Sequence, residues 1–233
     1  IFFNLIGSWA LDQDASDIAA QYFQWSADKN WSEATFNLAI ALSEAGKYEE
    51  AISSWSEIIN TGEVEAQEIA RTMLAILSVD ISDFDQLEEY QKYLVIRYRF
   101  DPNRQQKFVE LASNINDANY KGQAYLDMSK KLWKLDESET AIKLYQQLAT
   151  LEITDKSLFE QTIWLELKML ADQKKVRLLA QKINQGVEFD SDHILEKHFY
   201  TGLLMEASGD TAQARTNYEL VAYKNPFYEE AVI

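Results

Sequence analysis

The sequence predicts an all-α fold built as a row of antiparallel helix pairs, and three observations carry that prediction. The 233 residues include only 7 Gly and 2 Pro, too few for the many tight turns of a sandwich or barrel. Apolar residues recur with a helical period, and no Asn-Gly or Asp-Gly pair is present to close a hairpin. A spacing of small residue, twelve, Ala, four, aromatic returns four times, and self-similarity at a fixed period marks a stacked architecture.

Taken in order, helices are expected over 1–11, 15–28, 32–45, 48–60, 64–79, 83–99, 103–114, 118–134, 138–150, 156–171, 174–185, 191–207 and 211–223. The first two form a pair because Gly7 lies twelve before Ala19, with Phe23 four after it. The next two show the pattern most clearly: Leu38-Ala39, then Gly46-Lys47-Tyr48-Glu49-Glu50-Ala51, then Trp55. Ser129, Ala141 and Tyr145 repeat it in the middle, and Gly202, Ala214 and Tyr218 at the end, with Gly209 five before Ala214 and Asn225-Pro226 closing the unit. The small residue lets the first helix of a pair approach the second, and the aromatic one turn beyond the Ala fills the wedge between pairs. Gly46 and Gly209 read as the turns between helices.

Residues 64–100 and 156–186 have the length and periodicity of two more pairs but lack the marker residues. Asp101-Pro102 opens a short helix through Phe108, Val109 and Leu111 with no evident partner. The run Tyr93-Leu94-Val95-Ile96 could pass for a buried strand, but it sits inside a longer segment of helical period. The organisation expected is therefore three pairs over 1–100, an inserted short helix over 101–117, three pairs over 118–228, and the start of a further helix at 229–233. Residue 1 begins inside a helix, so both ends read as cut from a longer array.

The spacing, with its closing Asn-Pro, resembles the tetratricopeptide-repeat (TPR) pattern of W-x2-L-G-x2-Y, A-x3-F and P, and Gly46 to Ala51 is close to that family's helix-turn-helix consensus. The resemblance covers four of about six units. It implies a right-handed superhelical solenoid in which the first helix of each pair lines a concave, peptide-binding surface. Counting from the small residues places Phe36, Asn37, Ile40, Leu126, Lys130, Trp133, Phe199, Tyr200 and Leu203 on that groove, with Asn4, Ser8, Asp127 and Lys134 beside them. Family members that grip a terminal carboxylate use Lys, Arg and Asn there. This chain instead has apolar Phe36, Ile40, Phe199 and Leu203 rimmed by Glu33, Glu44 and Glu196, which suits a basic or amphipathic segment.

Composition narrows the chemistry. Against 38 acidic residues stand 22 basic ones, a net charge of −16, which repels nucleic-acid phosphates and anionic lipid, favours solubility and steers basic partners. With no Cys and only His193 and His198, thiol catalysis and Cys-rich zinc sites are excluded. The two histidines are five residues apart, about 140° around a helix, so they do not share a metal. His198 stands where the family has Trp, which implies packing between helices. Seven scattered glycines give no phosphate loop. Adjacent acids such as Glu49-Glu50, Glu88-Glu89 and Glu229-Glu230 point about 100° apart, and Asp80 to Asp85 lacks a calcium-loop Gly and closing Glu.

No catalytic, cofactor or metal residues are assigned. The reading is a non-enzymatic scaffold that holds a polypeptide in its groove, with an assembly or envelope-associated module of a longer chain as the alternative and a helical enzyme third. Nucleic acid is not an expected partner, nor is insertion of this segment into a bilayer; self-association through the repeat ends is. Absence of Cys fits a cytoplasmic or a periplasmic setting alike.

Overall fold

The computed structural model describes residues 2–12, 15–29, 32–187, 189 and 193–224, the side chains at 12, 32 and 224 excepted. Two expectations fall outside the described residues: residues 191 and 192 at the start of the expected 191–207 helix, and everything from Asn225 onward, including the further helix at 229–233. All regular secondary structure among the described residues is helical, with no strand. In order the helices are α1 Phe2–Asp12, α2 Ser16–Ala27, α3 Ser32–Glu44, α4 Tyr48–Thr61, α5 Val64–Ser78, α6 Glu89–Arg99, α7 Gln105–Ser113, α8 Ala118–Lys134, α9 Ser138–Leu148, α10 Lys156–Asp172, α11 Val176–Asn184, α12 Ile194–Ser208 and α13 Thr211–Lys224.

One turn recurs between helices. Lys47, Glu137, Lys175 and Asp210 each donate their N–H to the carbonyl five residues back, at 2.9–3.0 Å. The residue before each is left-handed: Gly46 at φ 72°, Asp136 at 61°, Lys174 at 53° and Gly209 at 86°. This is the αL helix cap that favours glycine. Ala15 bonds Ala10 with the same span. Such tight turns force consecutive helices antiparallel. In α8 and α9, Ser129 meets Ala141 while a Cβ at Gly122 would meet Leu148, so the two helices run in opposite directions.

Two compact units are present, Ile1–Leu158 and Phe159–Ile233. In the first, Ala19, Phe23, Leu38, Ala39, Ala51 and Trp55 share one core through α5. In the second, Leu167, Leu179, Phe199, Ala214, Tyr218 and Val221 share another. Ala19, Ala51 and Ala141 are completely buried and Ala214 nearly so, as a nested helix pair requires. The close approach is direct: a Cβ at Gly7 would lie 2.7 Å from the Phe23 ring, and one at Gly202 would lie 2.4 Å from the Tyr218 ring. Both are well inside van der Waals contact.

Two details depart from the expected organisation. The segment 83–99 is not one helix: a 3₁₀ turn, Ile81–Gln86, with Phe84 buried, precedes α6, which starts after Glu88 where Gln91 accepts the Glu88 N–H at 3.2 Å. Helix α6 packs against α5, α7, α8 and α3, with α8 its most extensive neighbour. The short helix α7 does have partners, since Phe108, Leu111, Ala112 and Ile115 are buried and Phe108 stacks edge-on with Phe100 at 5.6 Å. The boundary between the two compact units falls inside α10.

Candidate functional site

Helices α1 and α3 lie side by side, as do α3 and α6, and α6 and α8, so these four follow one another along the first unit; α6, expected as the second helix of the pair over 64–100, stands where a first helix was expected. Their register is written in side-chain contacts at a span near one repeat. Asn37 Nδ2 donates to Asn4 Oδ1 at 3.2 Å across 33 residues. Tyr93 donates to Asp127 at 3.2 Å and Lys131 Nζ to the Arg97 carbonyl at 2.7 Å, each across 34 residues.

A chain of polar groups ties three of these helices together. Arg97 Nε and Nη2 donate to Glu44 Oε1 at 2.8 and 2.5 Å, and Arg97 Nη1 donates to the Tyr93 hydroxyl at 2.9 Å. Asp127 also accepts from Gln123 at 3.0 Å. Glu44 keeps 14% of its side-chain exposure and Arg97 38%, so the pair is shielded from salt more than an open surface bridge would be. Burial pushes the Tyr93 hydroxyl far above the usual tyrosine range, and the Asp127 carboxylate pushes it further. Burial also takes the Tyr98 hydroxyl up to about 12; the Arg97 guanidinium stands 5.4 Å over that ring. Burial works against the charge on Arg97, but Glu44 and Tyr93 outweigh it and raise its pKa.

Beside this chain sit three tyrosines: Tyr93 and Tyr120 nearly parallel at 6.1 Å, with Tyr90 5.6 Å from Tyr120 and about half exposed. At the start of α6, Glu89 accepts from the buried Lys92 ammonium at 2.9 Å, from the Asp117 N–H at 3.1 Å, and from the Asn116 N–H. These bonds, led by Lys92, hold its carboxyl down to about 2 and clamp the N-terminal ends of α6 and α8 together.

Of the nine residues placed on a groove by counting, Phe36, Asn37 and Ile40 on α3 and Lys130 and Trp133 on α8 are half-buried in the first unit, and Leu203 is half-buried in the second. The Phe36 ring stands edge-on to Trp55 at 5.3 Å and backs the core. Leu126, Phe199 and Tyr200 do not line a surface. Leu126 is completely buried because α6, α7 and α9 surround α8, and Phe199 and Tyr200, 7% and 3% exposed, belong to the second core. The histidines are apart: His193 stacks on Trp164 at 3.9 Å, and His198 Nδ1 meets Asn217 Oδ1 at 3.0 Å between α12 and α13.

Sequence reasoning missed Tyr93 and Arg97 as the residues that tie α6 to its neighbours because α6 has Val95, completely buried, at the position 34 residues before the small marker Ser129. The usable signal was the 34-residue step from Tyr93 and Arg97 to Asp127 and Lys131. Comparison with protein-family models, with curated protein sequences and with solved structures returns no match for this chain. The fold and surface together describe an all-α protein with a preorganised polar and aromatic face.

Proposed function

We propose that the chain is a TPR-like array of antiparallel helix pairs, acting as a non-enzymatic scaffold that binds a basic or amphipathic polypeptide segment along α1, α3, α6 and α8. The observation that carries this reading is the register near one repeat of α1 with α3, through Asn4 and Asn37, and of α6 with α8, through Tyr93 with Asp127 and Arg97 with Lys131, the two pairs being joined by Glu44 and Arg97 across 53 residues. A stack of this kind keeps its apolar residues between neighbours and leaves a long face for recognition. The face is held in advance by hydrogen bonds, so a ligand does not have to order it. Half-exposed Asn37 and Ile40 and the tyrosines offer hydrogen bonds and apolar contact, and the net charge of −16 draws cationic segments.

The test is a panel of labelled peptides, basic, acidic, amphipathic and neutral, read by fluorescence anisotropy at two salt concentrations. Basic or amphipathic members should bind, and Ile40→Lys, which removes the apolar contact and adds a like charge, should weaken them at least tenfold with the helical circular dichroism unchanged. Preference for acidic members, or indifference to Ile40→Lys, contradicts the reading.

A second reading, docking of the array through its first pair onto another domain or a second copy, is favoured by one feature. Phe2 and Leu5 are 69% and 64% exposed, with Trp9, Ile18 and Trp25 also open; Phe3, Tyr22 and Trp25 continue the patch with ring spacings of 5.2–6.3 Å. Patches of this kind mark interaction surfaces. Sedimentation of the protein and of a Phe2→Ser, Leu5→Ser variant separates the cases: association lost in the variant supports self-docking, and a monomer in both excludes it.

A further inference from the structure

We infer that Tyr90 and Tyr120, with the Asp127 carboxylate beyond them, form a subsite on α6 and α8 for the guanidinium of an arginine in a bound peptide. This rests on the scaffold reading above and names one contact within it.

Tyr90 and Tyr93 lie one turn apart on α6, and Tyr120, Gln123 and Asp127 follow one another along one face of α8. The Tyr93–Tyr120 stack, 13° from parallel, fixes the Tyr120 ring, while Tyr90, tilted 49° to it at 5.6 Å, stands about half exposed. The two rings therefore touch at an angle, with Tyr90 carrying an exposed, electron-rich surface beside Tyr120. Guanidinium is planar, weakly hydrated and stacks on tyrosine faces, which an ammonium does less well.

The carboxylate lies within the same strip. Tyr93, whose ring packs against Tyr120, donates its hydroxyl to Asp127, and Gln123 donates its amide from one turn earlier. Both donors are neutral, so they orient the carboxylate without cancelling its charge. Of the neighbouring cations, the Arg97 guanidinium is taken up by Glu44 and Tyr93, and the Lys131 ammonium donates to the Arg97 carbonyl. Rings on one side and a held anion on the other match a cation with a flat apolar face and directional N–H groups.

The experiment uses the whole chain labelled with fluorotyrosine, the Tyr90 and Tyr120 resonances being assigned from Tyr90→Phe and Tyr120→Phe. The probe is a capped, amidated glycine peptide carrying two arginines, compared with its neutral citrulline counterpart. The arginine peptide should shift both resonances and the citrulline peptide should not. Tyr120→Leu and Asp127→Asn should each weaken binding at least fivefold, while Tyr120→Phe, which keeps the ring face, should retain it. Equal shifts from the citrulline peptide overturn the subsite. Unaltered affinity in Tyr120→Leu together with a loss in Ile40→Lys overturns the subsite and leaves the scaffold standing. Absence of binding by every member of the peptide panel overturns both.

Discussion

Gly202 and Tyr218 compete for one space: a Cβ on the glycine would sit 2.4 Å from the tyrosine ring, whose hydroxyl is tied to Glu206 at 2.9 Å. Glycine inside a helix ordinarily costs about 1 kcal/mol relative to alanine, so Gly202→Ala would gain stability if nothing opposed it. The anchored ring does oppose it, and overpacking costs about 1–3 kcal/mol. We expect Gly202→Ala to lower unfolding stability by up to about 2 kcal/mol, the overpacking cost less the alanine gain, with Gly7→Ala, facing Phe23 at 2.7 Å, behaving alike. A gain in stability in both would show that the pairs are not nested at these positions.

Ser43 is the second expectation. Its buried hydroxyl donates to the Ala39 carbonyl at 2.7 Å and accepts from the indole N–H of fully buried Trp55 at 3.0 Å. Ser43→Ala strands that N–H, which costs about 1–3 kcal/mol. Trp55→Phe in the same background removes the stranded group, so urea melts of the double variant should show less than the sum of the two single losses. Strict additivity would contradict the coupling.

Left-handed backbone at Lys174 gives a prediction of opposite sign. Its φ of 53° costs a side-chain-bearing residue about 1–2 kcal/mol, and glycine gives part of that back in chain entropy. Lys174→Gly should raise thermal stability by about 0.5–1 kcal/mol, with Asp136→Gly, at 61°, doing the same. A loss would mean that these turns are not formed as described.

Glu89 makes the protein sensitive to acid. Its carboxyl titrates at about 2 when folded, against 4.5 as a free side chain, so protons favour the unfolded chain. Its contribution is complete above pH 4.5 and falls away as the pH drops from 4.5 to 2. Glu89→Gln should lower stability at pH 7 and flatten the decline between pH 4.5 and 2 in denaturant midpoints. An unchanged decline would place the acid sensitivity elsewhere.

Most helix positions were legible from periodicity, because twelve-plus-four spacing and the glycines at 46 and 209 constrain turns directly. Helices α10 and α11 were legible only in outline. There Leu167, Leu179 and Ile183 occupy the marker spacing with bulkier side chains, and the αL residue five before Leu179 is a lysine. The grouping around α6 was not legible, since the buried Phe84 turn and the partners of α7 depend on distant packing rather than local pattern. Site residues were least legible. Counting from a marker placed Ile40, Leu126 and Tyr200 alike on a groove, yet Ile40 is half-buried and Leu126 and Tyr200 lie in cores; Phe36 and Leu126 share one position relative to the marker and differ in burial, so the helices packed around them decide it.

The central claim is that α1 lies abreast of α3, and α6 of α8, in a register near one repeat. The chain has no Cys, so paired cysteines report without background. Asn4→Cys with Asn37→Cys, and Arg97→Cys with Lys131→Cys, should each be joined within the monomer by a short thiol crosslinker, identified by mass spectrometry of the linked peptides. Folded protein in which neither pair joins would contradict the register and, with it, the binding face built on it.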